Sequence, residues 1–253
     1  QKADEIEAEY VATGHYARLK IDPTGLSQIW KAADLAKDQS YMLTFLTQSM
    51  LRRSLLPLGE YTKPQIRQYA ADLGLAVSDQ PDSQDLCFLA CTDYRDFLRQ
   101  HAEQAPLPGP IYHMDGKLLG QHQGLAFYTI GQRKGLPSST EALYVTEKRT
   151  ADNSLIVGFL KDLGTTMFLV DQVNWISGQS PEKEVELDVK IRYKALPVVA
   201  QVKPQSDTRV LVTADQTLRD ITPGQIAAFY HGDQLMGGGV IIDPATTLTE
   251  HEF

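Results

Sequence analysis

Only two cysteines occur among the 253 residues, and no apolar run approaches the roughly 20 residues needed to cross a bilayer. Two cysteines cannot build the disulfide framework that stabilises many small secreted domains. The first residues, QKADEIEAEY, are polar and acidic and do not resemble a secretory signal. These features favour a cytoplasmic protein that has no membrane association.

The chain also lacks an excess of basic charge, because its 24 Lys and Arg residues against 32 Asp and Glu residues give a net charge of −8. Such a balance argues against a nucleic-acid partner, since binding to phosphates favours basic surfaces. Segment 121–150 differs from this overall acidic balance, because it contains four basic residues and two acidic ones. A local basic face is therefore compatible with the overall negative charge.

The first 95 residues alternate strand and helix signals, which indicates an α/β sheet. The run EYVATG (9–14) predicts a buried strand, and QIWKAAD (28–34) predicts a second strand. The apolar spacing in 38–56 predicts one helix, whose buried face would carry Met42, Leu43, Phe45 and Leu46.

The segment YTKPQIRQYAADLG (61–74) predicts a second helix with clear end signals. Thr62 and Gln65 have the spacing of a capping box, and Pro64 fits the first turn. Gly74 suits the left-handed position that often ends a helix.

The remainder of the chain reads as β-structure. A Pro/Gly cluster at 106–110 predicts a linker, and two hairpins follow, turning at Asp115-Gly116 and near Asp152-Asn153. From about residue 165 several short strands with regular turns predict a small barrel or sandwich.

Both cysteines lie in DSQDLCFLAC (82–91), and the residues alone leave several roles open for them. Zinc needs about four ligands, which one pair beside scattered histidines does not readily supply. A short-range disulfide is uncommon in a cytosolic chain, whereas two small buried apolar residues would be ordinary. Asp82 and Asp85 would raise the pKa of a neighbouring thiol. A reactive cysteine there needs a helix N-terminus, a basic partner or a persulfide, which ionises more readily than a thiol.

Residues in other segments are candidates for ligand contacts, and some of them also have a purely structural explanation. The Gly14-His15 turn follows a predicted strand, where α/β sheets bind ligands, but it also suits a tight surface turn. Lys37, Asp38 and Gln39 suit contacts to phosphate and base edges, although Asp38 equally suits a helix N-cap. A second group of candidates comes from KIRYKALP (190–197), TPGQIAAFY (222–230) and the Gly-, Gln- and aromatic-rich segment 119–136.

Taken together and in order, these motifs resemble the bacterial tRNA-specific 2-thiouridylase (MnmA/TrmU) family. The resemblance rests on ATGHYAR, KDQSYML, LLPLGEYTKPQIRQYAADLGL, DSQDLCF, GQHQGLAFYTIGQRKGL, IRYK, TPGQIAAFY and GGGVI. It implies part of an ATP-pyrophosphatase-type, Rossmann-like α/β domain (1–95), a small strand-rich central tRNA-binding domain (96–162) and a C-terminal β-barrel (163–253).

The resemblance also implies a reaction. In the family, ATP with Mg²⁺ adenylates the 2-oxygen of the wobble uridine of tRNA, and a cysteine persulfide then supplies sulfur to C2. A second cysteine can resolve the persulfide as a disulfide. The implied partners are tRNA and a cysteine desulfurase or sulfur-relay protein that donates the persulfide. No tightly bound cofactor and no metal site are expected in the protein itself.

The same resemblance assigns individual residues. Cys87 matches the persulfide carrier and Gly14 an ATP contact, whereas Cys91 matches no catalytic position. The tRNA contacts of the family match His15, Lys37, Asp38, Gln39, Arg192, Tyr193 and Gln225.

Two family motifs are missing from this sequence, namely the Gly-rich pyrophosphate loop and the first catalytic cysteine with its preceding Asp. We expect both to lie upstream of Gln1 and expect the chain alone to be inactive. The alternatives are a non-catalytic tRNA-binding fragment and another ATP-pyrophosphatase-type enzyme that acts on a small molecule.

Overall fold

A computed structural model describes residues 2–76, 78, 96–97, 106–219 and 221–242. The chain divides into two compact units. The first contains the described residues up to 78 together with Thr166–Thr217 and those from Pro223 onward. The second contains the remaining described residues up to Thr165 together with Leu218–Thr222. The three domain boundaries drawn from the sequence remain a prediction.

The N-terminal segment begins with short elements. The strand expected at 9–14 is only two residues long and pairs in parallel with a second short strand, and neither is buried. The strand expected at 28–34 is present and forms an antiparallel hairpin with a strand that the sequence had not indicated. These elements are α1 (Lys2–Glu5), β1 (Val11–Ala12), β2 (Ala17–Ile21), β3 (Ser27–Lys31), α2 (Gln48–Leu51), β4 (Ser54–Leu55) and α3 (Lys63–Asp72).

The single helix predicted over 38–56 is wrong. A 3-10 turn (Ser40–Leu43), α2 and β4 occupy this segment, and of the four residues expected on the buried face only Leu43 is buried. Thr47 caps α2, because its hydroxyl accepts a hydrogen bond from the Met50 amide at 3.5 Å.

The helix predicted from the capping signals is confirmed as α3. The Thr62 amide donates to Gln65 Oε1 at 2.8 Å, and Gly74 adopts the left-handed conformation (φ +67°) beyond the helix end. The apolar side of α3 is nevertheless not buried by the described residues, since Leu73 is 75% exposed.

The C-terminal part of the first unit is a closed barrel, which confirms one of the two predicted β architectures. Six strands follow the order β13-β10-β11-β12-β9-β14, and β14 pairs with β13 to close the ring. The β2–β3 hairpin extends this sheet, because β3 pairs with β14. The strands are β9 (Thr165–Trp175), β10 (Val185–Lys190), β11 (Val198–Pro204), β12 (Val210–Leu218), β13 (Ile226–His231) and β14 (Gln234–Ile242).

One hydrophobic cluster joins the N-terminal segment to the barrel. Ile29, Tyr41 and Leu51 from the segment pack with Ala228 and Leu235 from the barrel, and all five are buried. Burial of such side chains contributes about 1.5–3 kcal/mol for each large one. The segment is therefore held against the barrel by a shared core.

The second unit is a four-stranded sheet with the order β6-β5-β8-β7, in which β5 and β8 are parallel. Both predicted hairpins are present, with left-handed Gly116 (φ +89°) and Asn153 (φ +51°) at their turns. Its core contains Phe127, Leu155 and Val157. The strands are β5 (Gly109–His113), β6 (Leu118–His122), β7 (Tyr144–Arg149) and β8 (Ser154–Gly158). The predicted fold class, an α/β segment, a small strand-rich unit and a C-terminal barrel, is confirmed.

Candidate nucleic-acid interface

The candidate residues for tRNA and ATP contact all belong to the first unit. They come from the segment around β1–β3 and from the loops that follow β10 and precede β13. Cys87 and Cys91 lie outside the described residues, so the persulfide assignment of Cys87 remains a prediction from the sequence.

The turn that carries His15 is bonded to the loop that carries Gln39. The Tyr16 amide donates to Gln39 Oε1 at 2.9 Å, and the Gln39 amide donates to the Tyr16 carbonyl at 2.8 Å. His15 Nδ1 and Thr13 Oγ1 lie 2.9 Å apart. Two candidate RNA contacts that are 24 positions apart in sequence are thus fixed relative to each other through Tyr16.

Steric contacts with the described residues do not require glycine at position 14. A Cβ built there would meet no atom closer than Leu58 Cδ1 at 3.7 Å, which is ordinary van der Waals contact. The backbone at Gly14 is therefore open to close approach from outside, which fits the ATP contact expected at this position.

Asp38 directs its carboxylate into the protein. It is 7% exposed and accepts hydrogen bonds from the Ala32 amide (3.0 Å), the Ser40 amide (3.3 Å) and the Ser40 hydroxyl (2.9 Å). The Ser40 hydroxyl in turn lies 3.1 Å from the Tyr230 hydroxyl on β13. Asp38 therefore shapes the loop that carries Lys37 and Gln39 and links it to the barrel.

Tyr41, which the sequence had not singled out, connects this loop to the barrel. Its hydroxyl donates to the Ile226 carbonyl at 2.8 Å, next to the candidate Gln225. Its ring centroid lies 6.4 Å from that of Tyr193. Burial raises the pKa of Tyr41 to about 12, partly opposed by the positive charge of Arg192, so the hydroxyl stays protonated at neutral pH.

The barrel candidates also lie together. Arg192 Nε donates to Gln225 Oε1 at 3.3 Å, which joins the loop after β10 to the residue before β13. Tyr193 is 37% exposed, and burial together with the charge of Asp38 raises its pKa, with the Lys37 ammonium partly opposing this shift. The effects of Asp38 and Lys37 indicate that their loop lies near Tyr193.

A further cation, Lys190 at the end of β10, belongs to the same neighbourhood. It lies in the candidate segment 190–197 but is not among the residues that the family resemblance assigned. Its ammonium lies 5.9 Å from the Tyr41 ring centroid and 5.7 Å from that of Tyr193. Burial lowers the pKa of Lys190, with Lys31 adding to the decrease and Asp38 opposing it. The signal available in the sequence was its position in KIRYKALP, two residues before Arg192.

Segment 119–136 lies in the second unit and divides between structural and exposed residues. His122 is buried, with Nε2 2.9 Å from the Asn153 carbonyl oxygen and Nδ1 accepting from the Gly124 amide at 3.0 Å. Arg133 and Lys134 are exposed. His122 therefore has a packing role, whereas the two cations are accessible to an anionic partner.

Within the described ranges, no cluster of three or more His, Cys, Asp or Glu side chains could hold a metal ion. Among the same residues, no helix is both long and apolar enough to span a membrane.

Models of three protein-family domains match most of the chain. Three family models match in succession: "tRNA methyl transferase HUP domain" over residues 1–91, "tRNA methyl transferase PRC-barrel domain" over 95–159 and "Aminomethyltransferase beta-barrel domain" over 165–241.

Curated relatives match along nearly all of the chain. The tRNA-specific 2-thiouridylase MnmA of Chloroflexus aggregans is 42% identical over 244 residues, covering 96% of this chain and 68% of the relative. The protein of the same name from Heliobacterium modesticaldum is 42% identical over 246 residues, covering 96% and 64%. That from Halothermothrix orenii is 39% identical over 242 residues, covering 95% and 68%. With identity at this level and all three family models matched, the chain belongs to the tRNA-specific 2-thiouridylase MnmA family.

Proposed function

We propose that this protein acts in the 2-thiolation of the wobble uridine of tRNA. The observation that carries the proposal is the convergence of sequence-distant candidate RNA contacts around Tyr41. The loop of Lys37 and Gln39, the turn of His15 and the barrel residues Arg192, Tyr193 and Gln225 are joined by hydrogen bonds and ring contacts. Membership of a family whose relatives are named tRNA-specific 2-thiouridylases supports the same conclusion.

In this proposal ATP, with Mg²⁺, is a co-substrate whose adenylyl group converts the uridine 2-oxygen into a leaving group. The terminal sulfur of a persulfide on Cys87 attacks C2, and AMP departs with the oxygen. A second cysteine then attacks the Cys87 sulfur, which breaks the S–S bond of the persulfide and leaves sulfur on the base. The resulting disulfide needs two electrons from a reductant, and a cysteine desulfurase or sulfur-relay protein supplies the next sulfur atom.

The described residues would bind and orient the RNA. Tyr193 offers a partly exposed ring for stacking, while Lys37 and Arg192 bring positive charge near it. The target base must leave the stack to reach a buried reaction centre, and the single-stranded anticodon loop makes this step inexpensive. Gly14 would allow close approach of the nucleotide to the backbone.

A second candidate function is tRNA binding without sulfur transfer, with Cys87 only structural. It is favoured by the candidate RNA contacts of the described residues, which by themselves require only binding. The two functions differ in one measurable property, because only a sulfur carrier accumulates a persulfide on Cys87 when a cysteine desulfurase and free cysteine are present.

The proposal is tested by mass spectrometry of tRNA from a strain that lacks the gene for this protein, complemented with variants of the complete gene. We expect wobble 2-thiouridine to disappear on deletion and to return with the unaltered gene. Cys87→Ser should reduce thiolation by at least about 10³-fold, of the order expected when an essential nucleophile is removed. Cys91→Ser is the matched control and should restore thiolation.

Two outcomes would contradict the proposal in different ways. Retained 2-thiouridine in the deletion strain would refute the assignment to wobble thiolation. Normal thiolation with Cys87→Ser would refute the persulfide role of Cys87 but leave RNA binding intact.

A further inference from the structure

A cavity of about 460 Å³ opens in the first unit beside the loop after β10. Three of the described residues that line it are lysines, namely Lys31, Lys190 and Lys194, and one, Asp38, is acidic. Tyr193 and Tyr230 contribute aromatic surface. The volume falls within the range of about 300–1,000 Å³ that is typical of small-ligand pockets.

The position of the Asp38 carboxylate is fixed inside the protein, because it accepts three hydrogen bonds from Ala32 and Ser40. Its negative charge still acts on Lys190. Lys31 is also occupied, since its ammonium donates to the Gly232 carbonyl at 2.8 Å and lies 3.6 Å from Asp233 Oδ1. Within the described residues, Asp38 forms no salt bridge with Lys190 or Lys194, and its charge offsets only part of the positive charge of the three lysines.

Lys190 differs from Lys31 in its partners. Within the described part of the chain its ammonium makes no hydrogen bond or salt bridge and contacts only the rings of Tyr41 and Tyr193. Half-burial lowers the pKa of Lys190, the Asp38 charge partly opposes this shift, and the Lys31 charge adds to it. A half-buried ammonium of this kind gains from an anion that enters the cavity.

The ligand that suits this arrangement carries a phosphate and a planar ring. Tyr193 lies beside Lys190 and is partly exposed, so an aromatic base can stack on it while the phosphate contacts the ammonium. A nucleotide has both groups at the required separation of a few ångströms. An acidic peptide would satisfy Lys190 but would leave the tyrosine ring without a stacking partner.

We propose that Lys190 binds a backbone phosphate of a nucleotide in the single-stranded anticodon loop whose base stacks on Tyr193. This inference rests on the proposed function and adds to it a phosphate-binding residue that neither the sequence motifs nor the family comparison assigned. In this proposal Lys190 supplies an electrostatic contact to the phosphate, and Tyr193 supplies a stacking contact to the base.

The experiment measures fluorescence anisotropy of a labelled anticodon stem-loop RNA binding to the intact chain over a series of salt concentrations. Lys190→Gln should weaken binding about 10- to 100-fold, and it should make the slope of log affinity against log salt shallower by about 0.7, the value for one phosphate contact on a single strand. Lys190→Arg should bind within about 3-fold of the unaltered chain, because the charge is retained.

Two further variants separate the contributions. Tyr193→Leu should lose about 5- to 150-fold in affinity, as expected for one stacked base, but keep the salt slope. Lys203→Gln, which removes an exposed lysine from β11, is the matched control and should change neither quantity. Thermal unfolding of each variant checks that the fold is kept, and Lys190→Met, which also removes the charge, provides the second test if Lys190→Gln is unstable.

The outcomes distinguish this inference from the proposed function. Unchanged affinity and salt slope for Lys190→Gln would overturn the phosphate site while leaving RNA binding intact. Binding of uridine monophosphate but not of the stem-loop would overturn the RNA assignment in favour of a free nucleotide. Failure of the unaltered chain to bind either probe would overturn this pocket and the RNA-binding role given to the described residues, whereas the assignment to wobble thiolation is overturned only by the deletion strain.

Discussion

At the scale of single residues, Tyr41 links the N-terminal segment to the barrel through several contacts. Its hydroxyl donates to the Ile226 carbonyl, its ring lies beside Tyr193, and the Lys190 ammonium lies over it. Burial keeps the hydroxyl protonated by raising its pKa to about 12. One side chain thus connects the core, the barrel backbone and the candidate RNA surface.

Tyr41→Phe should lower the free energy of unfolding by about 1–3 kcal/mol, because the Ile226 carbonyl loses its donor while remaining partly buried. The loss should shrink as pH rises from about 10 to about 12. In that range an unfolded tyrosine ionises and the folded one does not, so the unfolded state releases its proton first and the stability due to Tyr41 falls.

Chemical denaturation of both proteins between pH 7 and pH 12 gives this difference, with the pH limits chosen from the ordinary and raised pKa values of Tyr41. Tyr69→Phe is the control, because Tyr69 is an exposed tyrosine on α3 that meets Tyr61 edge-on and has no hydrogen bond to lose in the described structure. Equal stability of Tyr41→Phe and the unaltered protein at neutral pH would contradict the role given to the hydroxyl.

The resemblance of the motifs to the family identified most of the candidate contacts. It did not predict which groups each side chain binds within the protein. Asp38 was expected to contact RNA or to cap a helix. Its carboxylate accepts hydrogen bonds from Ala32 and Ser40, and its RNA contact stays a prediction. Lys190 was missed because nothing in a run such as KIRYKALP shows that its ammonium would lie between two tyrosine rings. Such partners come from distant segments, which local patterns do not encode.

At the scale of secondary-structure elements, local signals succeeded where the element depends on its own residues. The capping box of α3 and the two hairpin turns correspond to observed structure. The predicted helix over 38–56 is interrupted before Gln48, where backbone groups bind another element. The carbonyl groups of Thr44 and Leu46 accept hydrogen bonds from Asn174 Nδ2 on β9 at 2.8 Å and 3.1 Å.

Two glycines of the N-terminal segment provide a matched test at this scale. A Cβ at Gly59 would overlap the Ala17 carbonyl of β2, whereas one at Gly14 would meet nothing closer than 3.7 Å. Gly59→Ala should therefore destabilise the protein by about 1–3 kcal/mol through overpacking. Gly14→Ala should change stability by less than about 1 kcal/mol.

Thermal unfolding of the two variants measures the difference in stability, and tRNA thiolation in the complementation strain measures function. Gly14→Ala should lower thiolation although the protein remains folded, because the added methyl group obstructs the nucleotide. Full thiolation with Gly14→Ala would argue against an ATP contact there, and equal stability of the two variants would contradict the packing at Gly59.

At the scale of the whole molecule, an acidic chain can still present a cationic surface. The net charge is −8, yet Lys190, Lys194 and Arg192 lie close together in sequence at one end of the barrel, and Lys37 acts on the same Tyr193 ring. Composition alone argued against a nucleic-acid partner, because a sum over the chain carries no information about where charges lie. The convergence of residues from 14–39 with those from 190–225 depends on the shared core that holds the N-terminal segment against the barrel.

The most direct test of this account is crosslinking of an anticodon stem-loop that carries 4-thiouridine at the wobble position, followed by mass spectrometry of the crosslinked peptides. The account predicts crosslinks to the peptide that contains Cys87 and to peptides that contain residues 13–16, 37–41 or 190–197. An RNA that binds and crosslinks efficiently, but to none of these four segments, would contradict it.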